Sequence, residues 1–277
     1  MMNSLVKFIK ENKLFSIYFV MVIIIILVAI FAPSLVSQSP YEANLGKAFL
    51  SPSKEYIFGT DKLGRDIYSR VIYGTRVSLT AALILVISTF TIGSILGVIS
   101  GYFDGIVDDI IMRISDMMIS FPGMVLAIAM AGIMGSSIKN AMIAIIIVSW
   151  TKYARLARSL VLKVKNEDFI YAAKVSGGRT IDILRRHIIP NILPTLIVTA
   201  STDIGTMILE LAALSFLGFG AQSPTPEWGL MLNEGRAYML DSPWLMIYPG
   251  IAIFIVVIVF NLLSDSLRDI LDKRINE

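Results

Sequence analysis

Four stretches of this 277-residue chain run without a charge over the length a helix needs to cross a bilayer: Leu14 to Pro33, Val77 to Phe103, Met117 to Ile138 and Ser242 to Ser264. A hydrocarbon core of about 30 Å takes roughly 20 apolar residues as helix, because each backbone N–H and C=O must find its partner inside the segment. Two weaker stretches bring the set to six. Ala141 to Trp150 is short, but Lys139 before it and Lys152, Arg155 and Arg158 after it have long stems that let their charged heads reach the interfaces. Ile188 to Phe219 is long enough and carries Asp203 and Glu210. Each acid costs up to about 3 kcal/mol near a membrane centre, against roughly 0.5 kcal/mol recovered per Ile, Leu or Val, so the segment inserts if the acids turn away from lipid.

The expectation is an all-α membrane protein of six transmembrane helices. Hydrophobic residues make up 56% of the chain and mean hydropathy is +0.75, which excludes ordinary soluble domains. With no cysteine and one histidine, His187, the chain offers no disulfide and no protein-built metal site. Its net charge of +3 follows membrane topology and does not point to nucleic acid. The positive-inside rule places Lys7, Lys10 and Lys13, the basic connection 152–186, and Arg268, Lys273 and Arg274 in the cytoplasm, so both termini are expected there. The other side then holds a 34–76 loop of mixed sign and a 227–241 loop with Arg236 as its one basic residue. One discord is the cytoplasmic 101–116 loop, acidic through Asp104, Asp108, Asp109 and Asp116. The first apolar run is longer than a signal-peptide core and closes with Ile30-Phe31-Ala32-Pro33, so it reads as an uncleaved first helix. The simplest division is 1–76, an anchor helix and external loop, and 77–277, a five-helix core with a cytoplasmic connection at 152–190.

Within that connection a helix over Phe169 to Val175 is expected to stop at Gly177-Gly178. A second helix begins near Thr180, with Thr-Ile-Asp as its cap, and Pro190 and Pro194 end it and launch the next span. In the fifth span Thr199, Asp203, Thr206 and Glu210 share one helical face. A polar stripe does not face lipid cheaply, so it faces a translocation pathway or partner subunit, or forms a local hydrogen-bonded pair. An acidic lining suits cationic cargo such as a peptide N-terminus or a metal complex, with Asp203, nearer mid-span, expected to matter more. No phosphate-binding Gly-x-x-x-x-Gly-Lys-Ser/Thr loop and no nucleophile or metal-hydrolase set occurs, so the chain is read as non-catalytic. Energy enters through another chain or, in a competing class, through an ion gradient coupled at Asp203 and Glu210. A membrane scaffold without transported solute is a third class.

The sequence Tyr171-Ala172-Ala173-Lys174-Val-Ser-Gly177-Gly178, closed by His187-Ile-Ile-Pro190-Asn191, resembles the Glu-Ala-Ala loop of ATP-binding-cassette importer permeases, with Tyr171 where that family usually has Glu. Three further segments are similar to the dipeptide, oligopeptide and nickel group of those permeases: Phe58-Gly-Thr-Asp61 through Ser78-Leu79, Leu214-Ser-Phe-Leu-Gly218 through Trp228-Gly229, and Asn261 through Asp272. They resemble the second, C-type permease of the pair. The resemblance implies a MetI-like type I importer fold in a prokaryotic inner membrane and a short cytoplasmic helix seated in a groove of an ATPase subunit. It also implies a paralogous permease partner, two ATPase subunits that hold ATP and Mg, and an external solute-binding protein. This chain itself would bind no cofactor. The elbow of Gly64, Gly74, Asp61, Arg65, Asp66, Arg70 and Arg76 reads as internally paired charge, and Trp228 as an interface anchor.

Overall fold

The computed structural model describes residues 12–275. Lys7 and Lys10 lie outside the described residues, as do the side chains of Lys273 and Arg274. Among the described residues the fold is helical, with one isolated bridge between Thr60 and Asp66. Helix α1 (Lys13–Leu35) buries Val22, Ala29 and Ala32 and leaves the apolar flank of Ile17, Ile24 and Ile30 exposed. An apolar flank with no protein cover suits lipid contact.

Helix α2 (Ile67–Phe103) starts at Ile67, ahead of the expected Val77, because Asp66 caps it: its carboxylate accepts from the Ser69 backbone N–H at 2.8 Å and the Ser69 hydroxyl at 2.6 Å. It packs along α5 (Ile138–Lys165) by close backbone approach. A Cβ on Gly93 would lie 2.3 Å from the Trp150 carbonyl oxygen, and one on Gly97 2.3 Å from that of Ala154. Small residues at four-residue spacing are how membrane helices gain dispersion contact where the hydrophobic effect supplies none. The short apolar stretch Ala141 to Trp150 is therefore only the N-terminal half of a 28-residue helix. That helix continues through the basic residues because they are paired, Lys152 with Asp203, Arg155 with Asp116 and Arg158 with Asp108.

The expected span Met117 to Ile138 is broken. Helix α3 (Gly105–Ile119) meets α4 (Gly123–Met134) at 89°. Pro122 supplies no backbone N–H to carry the ladder on, and the Ser120 hydroxyl instead donates to the Met117 carbonyl at 2.7 Å. At 12 residues α4 is about 18 Å long, less than a bilayer core. The acidic 101–116 segment is largely α3, and three of its four acids face basic residues of α5: Asp108 accepts from Arg158 Nε at 2.6 Å, while Asp104 and Asp116 pair with Lys165 and Arg155.

A short helix α6 (Asp168–Val175) follows α5, and then α7 (Thr180–Ile183) runs through a π turn at Leu184–Ile188 into α8 (Ile189–Phe216). The prolines do not separate two helices as expected. Pro190 sits in the first turn of α8, just after the ladder has widened to π spacing, where its missing donor is tolerated. Thr180 is the first helical residue and provides no side-chain cap. Helices α9 (Trp228–Gly235) and α10 (Trp244–Ile275) complete the chain. Four helical stretches are long and apolar enough to cross a bilayer: 13–35, 67–103, 180–216 and 244–271. The bent α3 and α4 pair makes a fifth if it crosses as one unit, and α5 is not in that set.

Beyond the starts of α2 and α10, a buried four-charge cluster ties the segment before α2 to α9. Arg65 Nε donates to Asp61 at 2.6 Å, and Arg65 and Arg70 each place a terminal nitrogen 2.9 Å from Glu234 Oε2. Gly64 enters this elbow at φ +73°, and a Cβ there would lie 1.8 Å from the Asn44 carbonyl oxygen. Trp228 is not an interface anchor. It is 1% exposed, packs on Gly74, and donates its indole N–H to the Val71 carbonyl at 3.1 Å. Replacing Glu234 by Ala leaves Asp61 as the one acid facing two buried guanidinium groups and is expected to destabilise the fold by about 3 kcal/mol, read as a lowered midpoint of thermal unfolding in detergent. Removing Glu55, whose pair with Lys47 is exposed, is expected to leave that midpoint unchanged.

Candidate functional site

Two regions concentrate the residues singled out in the sequence. The first is the turn between α6 and α7. Ser176 closes α6, Gly177 takes φ +78°, the Gly177 N–H donates to the Lys174 carbonyl and the Gly178 N–H to the Ala173 carbonyl, both at 3.0 Å. This is the paired C-terminal closure that a left-handed glycine permits. Ile170 is fully buried in a cluster with Tyr153, Val161, Ile183 and Ile188, so one side chain anchors α6 to the bundle. Around it the surface is open: Tyr171 is 50% exposed and Val175 88%, with Phe169, Ala172, Lys174 and Ile181 also exposed. Ala172 and Ala173 separate, since Ala172 faces out and Ala173 packs partly against the cluster. Lys174 Nζ lies 5.5 Å over the Tyr171 ring, and the Phe169 ring meets that of His187.

The second region is a cleft of about 470 Å³ between the α3 and α4 bend and the facing sides of α5 and α8. Three stripe residues, Asp203, Thr206 and Glu210, line it with Lys152, Ser149 and Phe121. Thr199 does not; its hydroxyl turns back to the Thr195 carbonyl at 3.0 Å. Asp203 is 1% exposed, and both its oxygens are taken from α5, one by Lys152 Nζ at 2.5 Å and the other by the Tyr153 hydroxyl at 2.8 Å. A carboxylate removed from solvent is stable with a charge partner and a second donor, and here both come from consecutive residues of one helix. Lys152 as partner and the bend as a wall were not legible beforehand. The only trace was a Lys interrupting an apolar run.

Among the described residues no three His, Asp or Glu side chains gather as metal ligands would. The emergent end of α8 closes as α6 does, with Gly218 at φ +90° and the Gly218 and Phe219 N–H groups returning to Ser215 and Leu214. Glu227 then caps α9 by accepting from the Gly229 and Leu230 N–H groups at 2.9 and 2.8 Å, and burial pushes its carboxyl up.

Residues 93–277 match the family model of the binding-protein-dependent transport system inner membrane component, and residues 6–52 match that of the N-terminal TM domain of oligopeptide transport permease C. The chain is 45% identical over 97% of its length to the dipeptide transport system permease protein DppC of Alkalihalophilus pseudofirmus, covering 88% of that protein. It is 43% identical over 98% of its length to the probable D,D-dipeptide transport system permease protein DdpC of Escherichia coli K12, covering 91% of it. It is also 45% identical over 92% of its length to the glutathione transport system permease protein GsiD of Escherichia coli O6, covering 84% of it. Among solved structures, an inward-facing MetNI methionine ABC transporter shares its fold at a TM-score of 0.60, with 18% identity over 73% of this chain and 97% of that one.

Because a Cβ on Gly177 meets nothing within 4 Å, its substitution is penalised by backbone conformation alone. Gly177→Val is expected to loosen α6 and Gly177→Asn to do so less, since Asn tolerates the left-handed region. Amide hydrogen exchange over 168–178 measures the difference, with Ile170→Ala as the fully detached reference.

Proposed function

This chain belongs to the family of binding-protein-dependent transport system inner membrane components and is a non-catalytic permease subunit of an ABC importer, and we propose that its cargo is a short peptide. The observation that carries this reading is the near full-length likeness to permeases named for dipeptides, D,D-dipeptides and glutathione, itself a tripeptide. It favours peptides over the nickel-type complexes carried by the same broad group. In this reading the chain forms one half of the pathway beside a paralogous permease, two ATPase subunits bind ATP and Mg, and an external binding protein delivers cargo.

The exposed α6 surface is the ATPase-facing element. Ile170 holds it down, Gly177 and Gly178 reverse the chain, and Tyr171, Ala172, Lys174 and Val175 present a mixed apolar and basic face to a groove. That end is cytoplasmic, as are both termini. With Asp104, Asp108 and Asp116 neutralised by α5, the basic residues left around it, Lys163, Lys174, Arg179, Arg185 and Arg186, outnumber the acids Asp109, Glu167, Asp168 and Asp182, which agrees with the positive-inside rule. An ion-coupled carrier is the weaker reading, because Asp203 is already held by Lys152 and Tyr153.

In proteoliposomes holding the permease pair, ATPases and binding protein, labelled dipeptide uptake is expected to require ATP and to ignore an imposed proton gradient. Uptake driven by the gradient alone would replace this reading with the ion-coupled one. Ala172→Glu is expected to leave assembly intact and cut uptake by roughly tenfold or more, as a buried unpaired charge at an interface does. Since the chain has no cysteine, Ser53→Cys and Gln222→Cys report topology directly. Both are expected to react with a membrane-impermeant thiol reagent outside intact cells and Lys165→Cys to stay unlabelled; the opposite pattern reverses the orientation.

A further inference from the structure

A free dipeptide at neutral pH is a zwitterion, an ammonium and a carboxylate about two residues, or ~7 Å, apart. A pathway lined by one sign of charge attracts one end of such a cargo and repels the other. The cleft between α5 and α8 holds both signs. Lys152 lines it with its side chain 56% exposed, and Glu210 lines it from α8.

The two acids of α8 are not equivalent. Asp203 has each oxygen engaged by α5, so its charge is spent within the protein. Glu210 makes no ion pair within 4 Å among the described residues; the Ser149 hydroxyl donates to it and the Lys152 charge acts on it across the cleft, so it keeps acceptor capacity, and an acid without a direct ion partner at membrane depth marks a substrate path. Lys152, conversely, carries three donor hydrogens and gives one to Asp203, leaving two that its exposure turns to the cleft. Ser149 and Thr206 add neutral hydroxyls to the same walls.

We propose that this cleft is a transit site for zwitterionic peptides, in which Lys152 receives the C-terminal carboxylate and Glu210 the N-terminal ammonium, while Asp203 and Tyr153 are positioning residues that hold Lys152 in place. The proposal rests on the peptide-importer reading above. It shifts the cargo-facing role from Asp203 to Glu210 and adds a cation that the acidic stripe alone does not contain. Low dielectric strengthens both contacts, and their opposite signs discriminate against cargo that lacks a free terminus.

The test uses the complete importer in proteoliposomes with labelled L-alanyl-L-alanine. Glu210→Gln and Lys152→Gln are each expected to lower dipeptide imported per ATP hydrolysed by roughly tenfold or more, the scale of one lost charged hydrogen bond. The half-saturating concentration, set by the binding protein, is expected to stay unchanged. Ser201→Ala, whose hydroxyl only returns to the Ile197 carbonyl, is expected to behave as wild type. Wild-type coupling in both charge variants overturns the transit site while leaving the peptide reading intact; failure of the unmodified importer to take up the dipeptide overturns the peptide reading itself. Should a charge variant fail to copurify with its partners, Thr206→Cys decides, because position 206 is exposed in the cleft. Its alkylation is expected to slow when L-alanyl-L-alanine, binding protein and ATP are supplied together, and equal alkylation with and without the dipeptide overturns the proposal.

Discussion

Two arginines and two acids, Arg65, Arg70, Asp61 and Glu234, are buried together where the segment before α2 meets α9, and much of the architecture hangs on their mutual neutralisation. A guanidinium withdrawn from water without a partner is prohibitive, so neither segment is stable in place without the other. Once they meet, α2, α9 and α10 are fixed relative to one another. Trp228 settles on Gly74, and Gly229 comes so close to α8 that a Cβ would stand 2.4 Å from the Ala212 carbonyl oxygen. The far end of α8 is thereby located, and with it the height of Glu210 along the cleft.

The same rule, charges neutralised between helices, organises the opposite end. Acids of α3 meet the basic residues of α5, which lets a helix with five Lys or Arg between 152 and 165 lie against a neighbour that would otherwise look too acidic for its side of the membrane. Between the two ends, Asp203 and Lys152 repeat the pairing inside the bundle. Charge is consequently rare on the lipid-facing flanks and concentrated where it joins helices or lines the cleft. The sharp bend between α3 and α4 has a different origin, a proline and a serine at the turn, and it opens the space that the cleft occupies.

Backbone geometry was legible at the glycine pair that closes α6 and not at the prolines, since Pro190 sits in the first turn of α8 and Pro122 bends an expected span. Gly177 and Gly178 were expected to end a helix and do so, because left-handed closure is a local property. Charge partners were legible only within a segment. Asp61 and Arg65 stand four residues apart within the elbow that was read as internally paired charge, whereas Glu234, 169 positions from Arg65, was invisible. Lys152 was read as an interfacial snorkel for the same reason, since its partner lies 51 positions away on α8.

By itself the sequence determined the class of the protein and most of its helices, because apolar length and the demand for internal backbone hydrogen bonding act locally and admit few alternatives. It also determined the family, through segments at 58–79, 171–191 and 214–229 whose spacing is distinctive. Only the tertiary structure decided that Met117 to Ile138 folds at a right angle, that α5 runs on through its charges, that Trp228 is core, and that Asp203 is ion-paired while Glu210 is hydrogen-bonded by Ser149. Each of these depends on which groups from distant segments share a low-dielectric space, and the free energy of a buried charge is set by those neighbours more than by its own position in the chain.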